Sequence, residues 1–366
     1  VAAYTALVAL LDYPNHRDDP DAWARELGIS REAVELYLAS DVIDLHVDSF
    51  IWHRVFGYDL RRRHGRGLFG ARFYSQVDFP RMLEAELTGA TWVITTNPLR
   101  GGRSRADTFV HNLKDLLALF ATVSEQFQPV RNEREYRAAR AAGKHAAFIG
   151  IQGGNALDDS PEALDRIEDD WVLRITVVHL SSSKLGKTSS PLRLGEDAGL
   201  TDAGREFVRR LNEKKIFVDL AHISKQGFWD AVEIHDKSQP LIVTHTGVSG
   251  VFEHWRNLDD AQLRAIADTG GTIGVMYQSS FLGDRALGGR AEAIVTHLEH
   301  IVRTVGAEHA SLGSDWDGAI VPPRDLATCL ELPRLVQIML DRGLSTDAIQ
   351  QILGKSFLRV VRELRG

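Results

Sequence analysis

Asp44-Leu45-His46-Val47-Asp48 closes a β-branched and apolar run that begins at Asp41. Such a run reads as a buried strand, and side chains two apart on a strand leave from the same face. His46 and Asp48 therefore aim one imidazole and one carboxylate at a common point beyond the strand's C-terminal end. A His-x-Asp pair alone says little, because many surface strand ends carry one. Its meaning comes from the strands that follow.

Outward from this stretch, apolar β-type runs alternate with helical patterns, the signature of parallel strands joined by crossover helices. Strands are expected at Val42–Asp48, Ala90–Thr96, Ala146–Gln152, Leu173–His179, Ile216–His222, Leu241–His245, Thr272–Tyr277 and Ala310–Asp315. Helical stretches between them include Arg105–Phe127, Thr201–Lys214, Leu258–Asp268 and Ala291–Val305. Eight such units close a (β/α)₈ TIM-like barrel, residues 41–366. Residues 1–40 read as an N-terminal helical extension, Asp18 to Ser40, with Ser30 as cap. A last helix, Ser345 to Leu364, is expected to cover the outside of the barrel, with Ile349, Ile352, Leu353 and Phe357 on one face.

The 366 residues are 44% hydrophobic and 25% charged, ordinary for a globular enzyme-sized chain. A formal net charge of −7 gives no electrostatic reason to expect nucleic acid or an anionic membrane as partner. The single cysteine, Cys329, rules out an internal disulfide. No apolar run approaches the length of about 18 residues that a membrane span needs. Val1 to Leu11 lacks the basic n-region of an export signal, so the expected compartment is the cytoplasm. The Arg-rich stretch Arg61 to Gly67 reads as a solvated loop within His53–Ser75. A second long loop, Ser181 to Gly199, carries Lys184, Lys187 and Arg193.

Strand after strand ends in a metal-ligand residue type: His46 and Asp48, Gln152, His179, His222, His245, then Asp315 and Asp317. The C-terminal strand ends form the active-site face of a parallel barrel, so these residues converge. Imidazole and carboxylate without thiolate suit Zn²⁺ or a related ion in a catalytic site. Such an ion lowers the pKa of bound water and polarises a carbonyl, which points to hydrolysis. His64, His111, His235, His254, His297, His300 and His309 fall in loops or helices and read as structural; His53 stands near the mouth.

The chain resembles the membrane (renal) dipeptidase family of the amidohydrolase superfamily from about Asp41 to its C-terminus. The resemblance is carried by Ile43 to Asp48, Gln76 to Arg81, Gly150 to Gly154, Gly199 to Thr201, Val218 to Ser224, His254 to Asn257 and Gly313 to Gly318. It implies a dipeptide substrate hydrolysed through a metal-bound hydroxide, and a homodimer; the lack of a long apolar run leaves no membrane anchor expected. By the same resemblance, His46 and Asp48 bind one Zn²⁺, and His222 and His245 bind another. His179 stabilises the oxyanion, Arg256 holds the dipeptide's carboxylate, and Asp315 shuttles a proton and stands near the metals. Asp317 is the second choice for the shuttle.

One position departs from the resemblance. The family carries a metal-bridging glutamate where this chain has Gln152. Two dications about 4 Å apart repel by about 17 kcal/mol at an effective dielectric of 20, and a neutral amide offsets none of it. The sequence leaves open a one-metal hydrolase, a two-metal hydrolase, and a site that binds without turnover. The corresponding functions are a dipeptidase, including one that accepts a C-terminal D-residue, a hydrolase of another small amide or ester, and a catalytically silent binding homologue.

Overall fold

The computed structural model describes residues 10–95, 102–158, 161–167, 170–191, 198–284 and 288–366. Residues 1–9 of the N-terminal run, Thr96 at the end of the expected second strand, and Arg193 lie outside them. Nine parallel strands form one sheet. They are β1 (Ile43–Val47), β2 (Gly89–Thr95), β3 (Phe127–Pro129), β4 (His145–Gln152), β5 (Val172–Thr176), β6 (Phe217–Asp219), β7 (Ile242–Thr246), β8 (Thr272–Val275) and β9 (Ala310–Leu312).

The strands follow the order β2-β1-β9-β8-β7-β6-β5-β4, and β2 pairs with β4 to close an eight-stranded TIM-type barrel. The short β3 is additional. It pairs with the first residues of β4, where Phe127 lies opposite His145, before β5 takes over the same edge. The helix expected to run to Phe127 therefore stops earlier, at Gly102–Ala121. Pro129 suits a short strand and cannot continue a helix ladder.

Strict alternation breaks at three places. Between Asp44 and Val47, β1 advances three residues while β2 advances two. The same extra residue occurs in β5, between Val172 and Arg174, and in β7, between Val243 and Thr246. Such bulges re-aim side chains at barrel rims. They let neighbouring residues serve different ends of the interior. Leu45 joins an apolar cluster at the lower end while His46 faces the mouth, and Leu173 and Arg174 divide in the same way.

The lower end is sealed by the C-terminal segment. Ser345 caps Thr346–Gln350 by accepting from the amide of Ala348; one wide π turn, Gln351–Lys355, follows, then the helix Ser356–Arg365. The wide turn lies against the chain entering β1, where a Cβ on Gly354 would come within 2.5 Å of the Asp41 carbonyl oxygen. The final helix does not lie on the barrel's flank as expected. Arg365 donates to the carbonyls of Asp170, Val172 and Lys215 at the strand starts, and Phe357 packs edge-on against Phe148 at 5.4 Å. Apolar residues on the inner faces of the strand starts need this cover, and Val360, Val361 and Leu364 supply it.

The N-terminal extension forms two helices, Pro20–Leu27 and Arg31–Ala39, capped by Asp19 and Ser30. The first packs on the second, the second packs against Pro333–Asp341, and the Tyr37 hydroxyl donates to the Ala85 carbonyl at 2.7 Å. The loop expected at His53–Ser75 begins with a helix, Phe50–Phe56. Its arginines are matched by acids: Arg61 by Asp59, Arg63 by Glu84, Arg66 by Glu331.

Candidate metal centre and active site

At the upper rim the strands end in sharp turns. His222, Asp315 and Asp317 all have left-handed backbone, with φ of 66°, 65° and 64°. Non-glycine residues adopt that region at a cost, and they do so most often where function fixes them. The turns bring His46, Asp48, Gln152, His179, His222, His245 and Asp315 into one cluster, buried except for the half-buried His222.

His46 Nε2 lies 3.2 Å from Asp48 Oδ2 and 3.6 Å from Asp315 Oδ1. The rings of His46 and His245 are 3.9 Å apart between centroids, and the Nε2 atoms of His222 and His245 are 2.8 Å apart. Donor atoms of His46, His245 and Asp315 lie within 4.8 Å of one another. Thr95 donates to Asp48 Oδ1 at 2.5 Å. Gln152 Nε2 sits 3.3 Å from Asp48 Oδ2 and 2.8 Å from His179 Nε2.

A buried polar layer beneath the cluster orients it. Asp219 Oδ2 accepts from the hydroxyls of Thr176 and Thr244 and from Arg174 Nη1. Because the Thr244 hydroxyl gives its proton to Asp219, it accepts from His245 Nδ1 at 2.9 Å. His245 Nε2 is then the lone-pair nitrogen, free to act as a ligand. Arg174 Nη2 donates to His46 Nδ1 at 2.7 Å, so the neutral His46 ring carries its proton on Nε2 beside Asp48 and must give that proton up to ligate a cation. Arg174 reaches this place only across a glycine: a Cβ on Gly150 would stand 2.7 Å from its Nε.

Burial drives the electrostatics. It lowers the pKa of His179 to about 3 and pushes His222 and His245 well below the usual imidazole range, with Arg256 adding to both. All three imidazoles are neutral at pH 7. Burial also works against the Asp48 carboxylate, yet His46 and Thr95 hold it below its ordinary value. Asp315 is pushed well up, by burial first and then by Asp48. A cation at this point reverses that pressure, since it favours the charged carboxylate. The donor set fits a divalent ion: Asp315 Oδ1 and Gln152 Oε1 are buried and have no hydrogen-bond partner.

Arg256 is buried beside the cluster, with Nη2 donating to the His245 carbonyl at 2.6 Å and Nε without a partner. It borders a cavity of about 430 Å³ that also touches His222, Lys225, His254 and Trp255. Asp317 does not join the cluster. Ser49 and the Gln76 amide saturate its carboxylate, so it ties loops together. His53 is also elsewhere, bonded to the Tyr58 carbonyl. Of the histidines read as structural, buried His297 accepts from the amide of Val248 and faces the Leu282 carbonyl, whereas His254 lines the cavity beside Arg256.

Sequence reasoning missed Arg174, Asp219, Thr95 and Thr244. The signal for Arg174 was present, since a lone arginine inside the apolar run Val172 to Val178 is not fully buried without a partner.

A closed parallel barrel with a mouth lined by histidine and aspartate defines a hydrolase of the amidohydrolase type. Residues 30–365 match the family model described as membrane dipeptidase (peptidase family M19), and the chain belongs to that family of peptide-bond hydrolases. It is 34% identical over 169 residues to an uncharacterized protein in the pqqA 5′ region of Klebsiella pneumoniae, a match covering 45% of this chain and 61% of that relative. It is 25% identical over 296 residues to the dipeptidase tcpJ of Claviceps purpurea, covering 79% of this chain and 69% of that one. A metallo peptidase from Rhodobacter sphaeroides, solved with a phosphinate mimic of the dipeptide L-Ala-D-Ala, shares the fold with a TM-score of 0.78 and 24% identity. That match covers 88% of this chain and 99% of the other. No helix among the described residues is long and apolar enough to cross a membrane.

Proposed function

We propose that this chain is a metal-dependent dipeptidase acting on free dipeptides, including those ending in a D-residue. The observation that carries it is a carboxyl, Asp315, and a guanidinium with spare donors, Arg256, on one buried His-rich cluster. A bound divalent ion supplies Lewis acidity and lowers the pKa of water at the site. His46, His245 and Asp315, whose donor atoms converge, would hold it, with Asp48 and His222 beside them and Gln152 offering an amide oxygen.

The chain's own groups account for the rest. Arg256 keeps donors for a substrate carboxylate, which a guanidinium grips through two parallel hydrogen bonds. Asp315 moves the proton from the attacking water to the leaving amine. His179 donates to the carbonyl oxygen as negative charge develops there. That role requires Gln152 to release His179 Nε2 and the ring to move its proton onto that nitrogen, because Nε2 accepts from the amide when no substrate is bound. The same bond supports a second reading, a silent binding homologue. The metallo peptidase from Rhodobacter sphaeroides, solved with a phosphinate mimic of L-Ala-D-Ala, supports the D-residue part. Zn²⁺ as the ion, a homodimer and a cytoplasmic setting belong to the same proposal, tested by metal analysis, light scattering and fractionation.

The test is a panel of L,L and L,D dipeptides with Zn²⁺-loaded protein beside a chelated control. Chelator-sensitive turnover of free dipeptides is expected, and Arg256→Ala raises their KM about 100-fold, the loss of a charge-assisted pair of bonds. Turnover of carboxylate-blocked substrates alone points to a different small amide or ester. No turnover on any substrate favours the silent homologue.

A further inference from the structure

The charges at the mouth limit how much positive charge it can accept. Two carboxylates, Asp48 and Asp315, face His46, and two guanidiniums border the same space. Arg174 is matched by Asp219 at 2.9 Å, whereas Arg256 has no ion pair among the described residues. Position 152 lies between two groups of ligand-type residues. Its side chain reaches Asp48 beside His46 on one side and His179 on the other, and the His179 ring stands 4.7 Å from that of His222. A carboxylate there would lie between two ions; the residue present is a neutral amide whose nitrogen is engaged on both sides. Only one set of three donors, from His46, His245 and Asp315, converges within ligand range among the described residues.

We propose that the site takes one divalent cation per chain, on His46, His245 and Asp315, and that Gln152 sets this count. The proposal rests on the metal-site reading above. With one dication, Asp48 and Asp315 balance its charge, and Arg256 is left to meet a substrate carboxylate. A second dication adds two positive charges with no carboxylate to answer them, in a dry space where uncompensated charge is costly. The amide also orders the site. It holds Asp48 toward His46 and fixes His179 Nε2 as an acceptor until substrate arrives.

The experiment is metal analysis of the full chain, stripped with chelator, dialysed against excess Zn²⁺ and freed of loose ion. Wild type retains about one equivalent, Gln152→Glu about two, and Gln152→Met, neutral and of similar size, stays at about one. Loading with Mn²⁺ gives a second readout: an isolated-ion paramagnetic resonance spectrum in wild type and a spin-coupled one in Gln152→Glu. Two equivalents in wild type overturn the proposal, and so does a single equivalent in a folded Gln152→Glu protein. The wild-type measurement decides even where a variant fails to fold. One equivalent without dipeptide turnover defeats the dipeptidase proposal and leaves this one standing; two equivalents with turnover do the reverse.

Discussion

The two ends of the barrel are built from the same strands and obey opposite rules. At the strand starts, Ile43, Leu45, Phe148, Phe217 and Ile242 pack under Phe357, Val360 and Val361. At the strand ends the interior holds imidazoles, carboxylates and two arginines, many with unmet bonding capacity. The first end maximises apolar burial, and the second accepts desolvated charge and left-handed backbone. Stability and chemistry are thus separated along the barrel axis, with the Arg174–Asp219 layer between them.

This division can be broken from either side. The largest effect is expected at the mouth: Asp315→Asn should lower dipeptide turnover about 10⁴-fold. Its urea midpoint, measured on chelated protein, should stay near wild type, because burial pushes the Asp315 carboxyl well up and disfavours its charged form, so a neutral amide costs little there. A marked loss of stability instead would mean that the mouth also holds the fold together. At the floor, Phe357→Ala should cost about 3–5 kcal/mol of stability, with turnover per folded molecule unchanged. A selective fall in kcat would show the two ends to be coupled.

Titration sharpens the same contrast at His145, at the start of β4. Its Nδ1 donates to the Leu87 carbonyl and its Nε2 accepts from Trp92, so the ring is neutral; burial lowers its pKa to about 4. The unfolded value is about 6.5, so below that pH the unfolded chain takes the proton and the folded chain resists it. This contribution is complete above pH 6.5 and lost as pH falls to about 4, roughly 3 kcal/mol in all. Urea titrations from pH 7 to 4 should show a flatter loss in His145→Gln than in wild type. The smallest effect is at the cap of the floor segment, where Ser345→Ala should cost about 1 kcal/mol by the same assay.

Much of the mouth was legible because its residues end strands or stand within three positions of a strand end, so counting strands gathers them although Asp48, His179, His222 and Asp315 lie beyond the strands themselves. His46, Asp48, Gln152, His179, His222, His245 and Asp315 could be gathered without coordinates once the strands were counted. The floor and the middle layer were less so. Alternation assigns Leu45 and His46 to opposite faces, and only the extra residue in β1 gives both an inward task. Arg174 and Asp219 are 45 positions apart and meet through the parallel pairing of β5 with β6, a register that no local pattern encodes. The last helix shows an apolar stripe in sequence, but a stripe does not say which surface it covers.

The left-handed turns at His222, Asp315 and Asp317 carry an evolutionary consequence. Each position holds a side chain that its backbone disfavours by about 1 kcal/mol, and glycine would relieve it. A lineage released from catalysis would drift toward glycine at His222 and Asp315, though not at Asp317, whose carboxylate ties Ser49 to Gln76, and gain thermal resistance as it lost its chemistry. This chain still carries all three strained side chains.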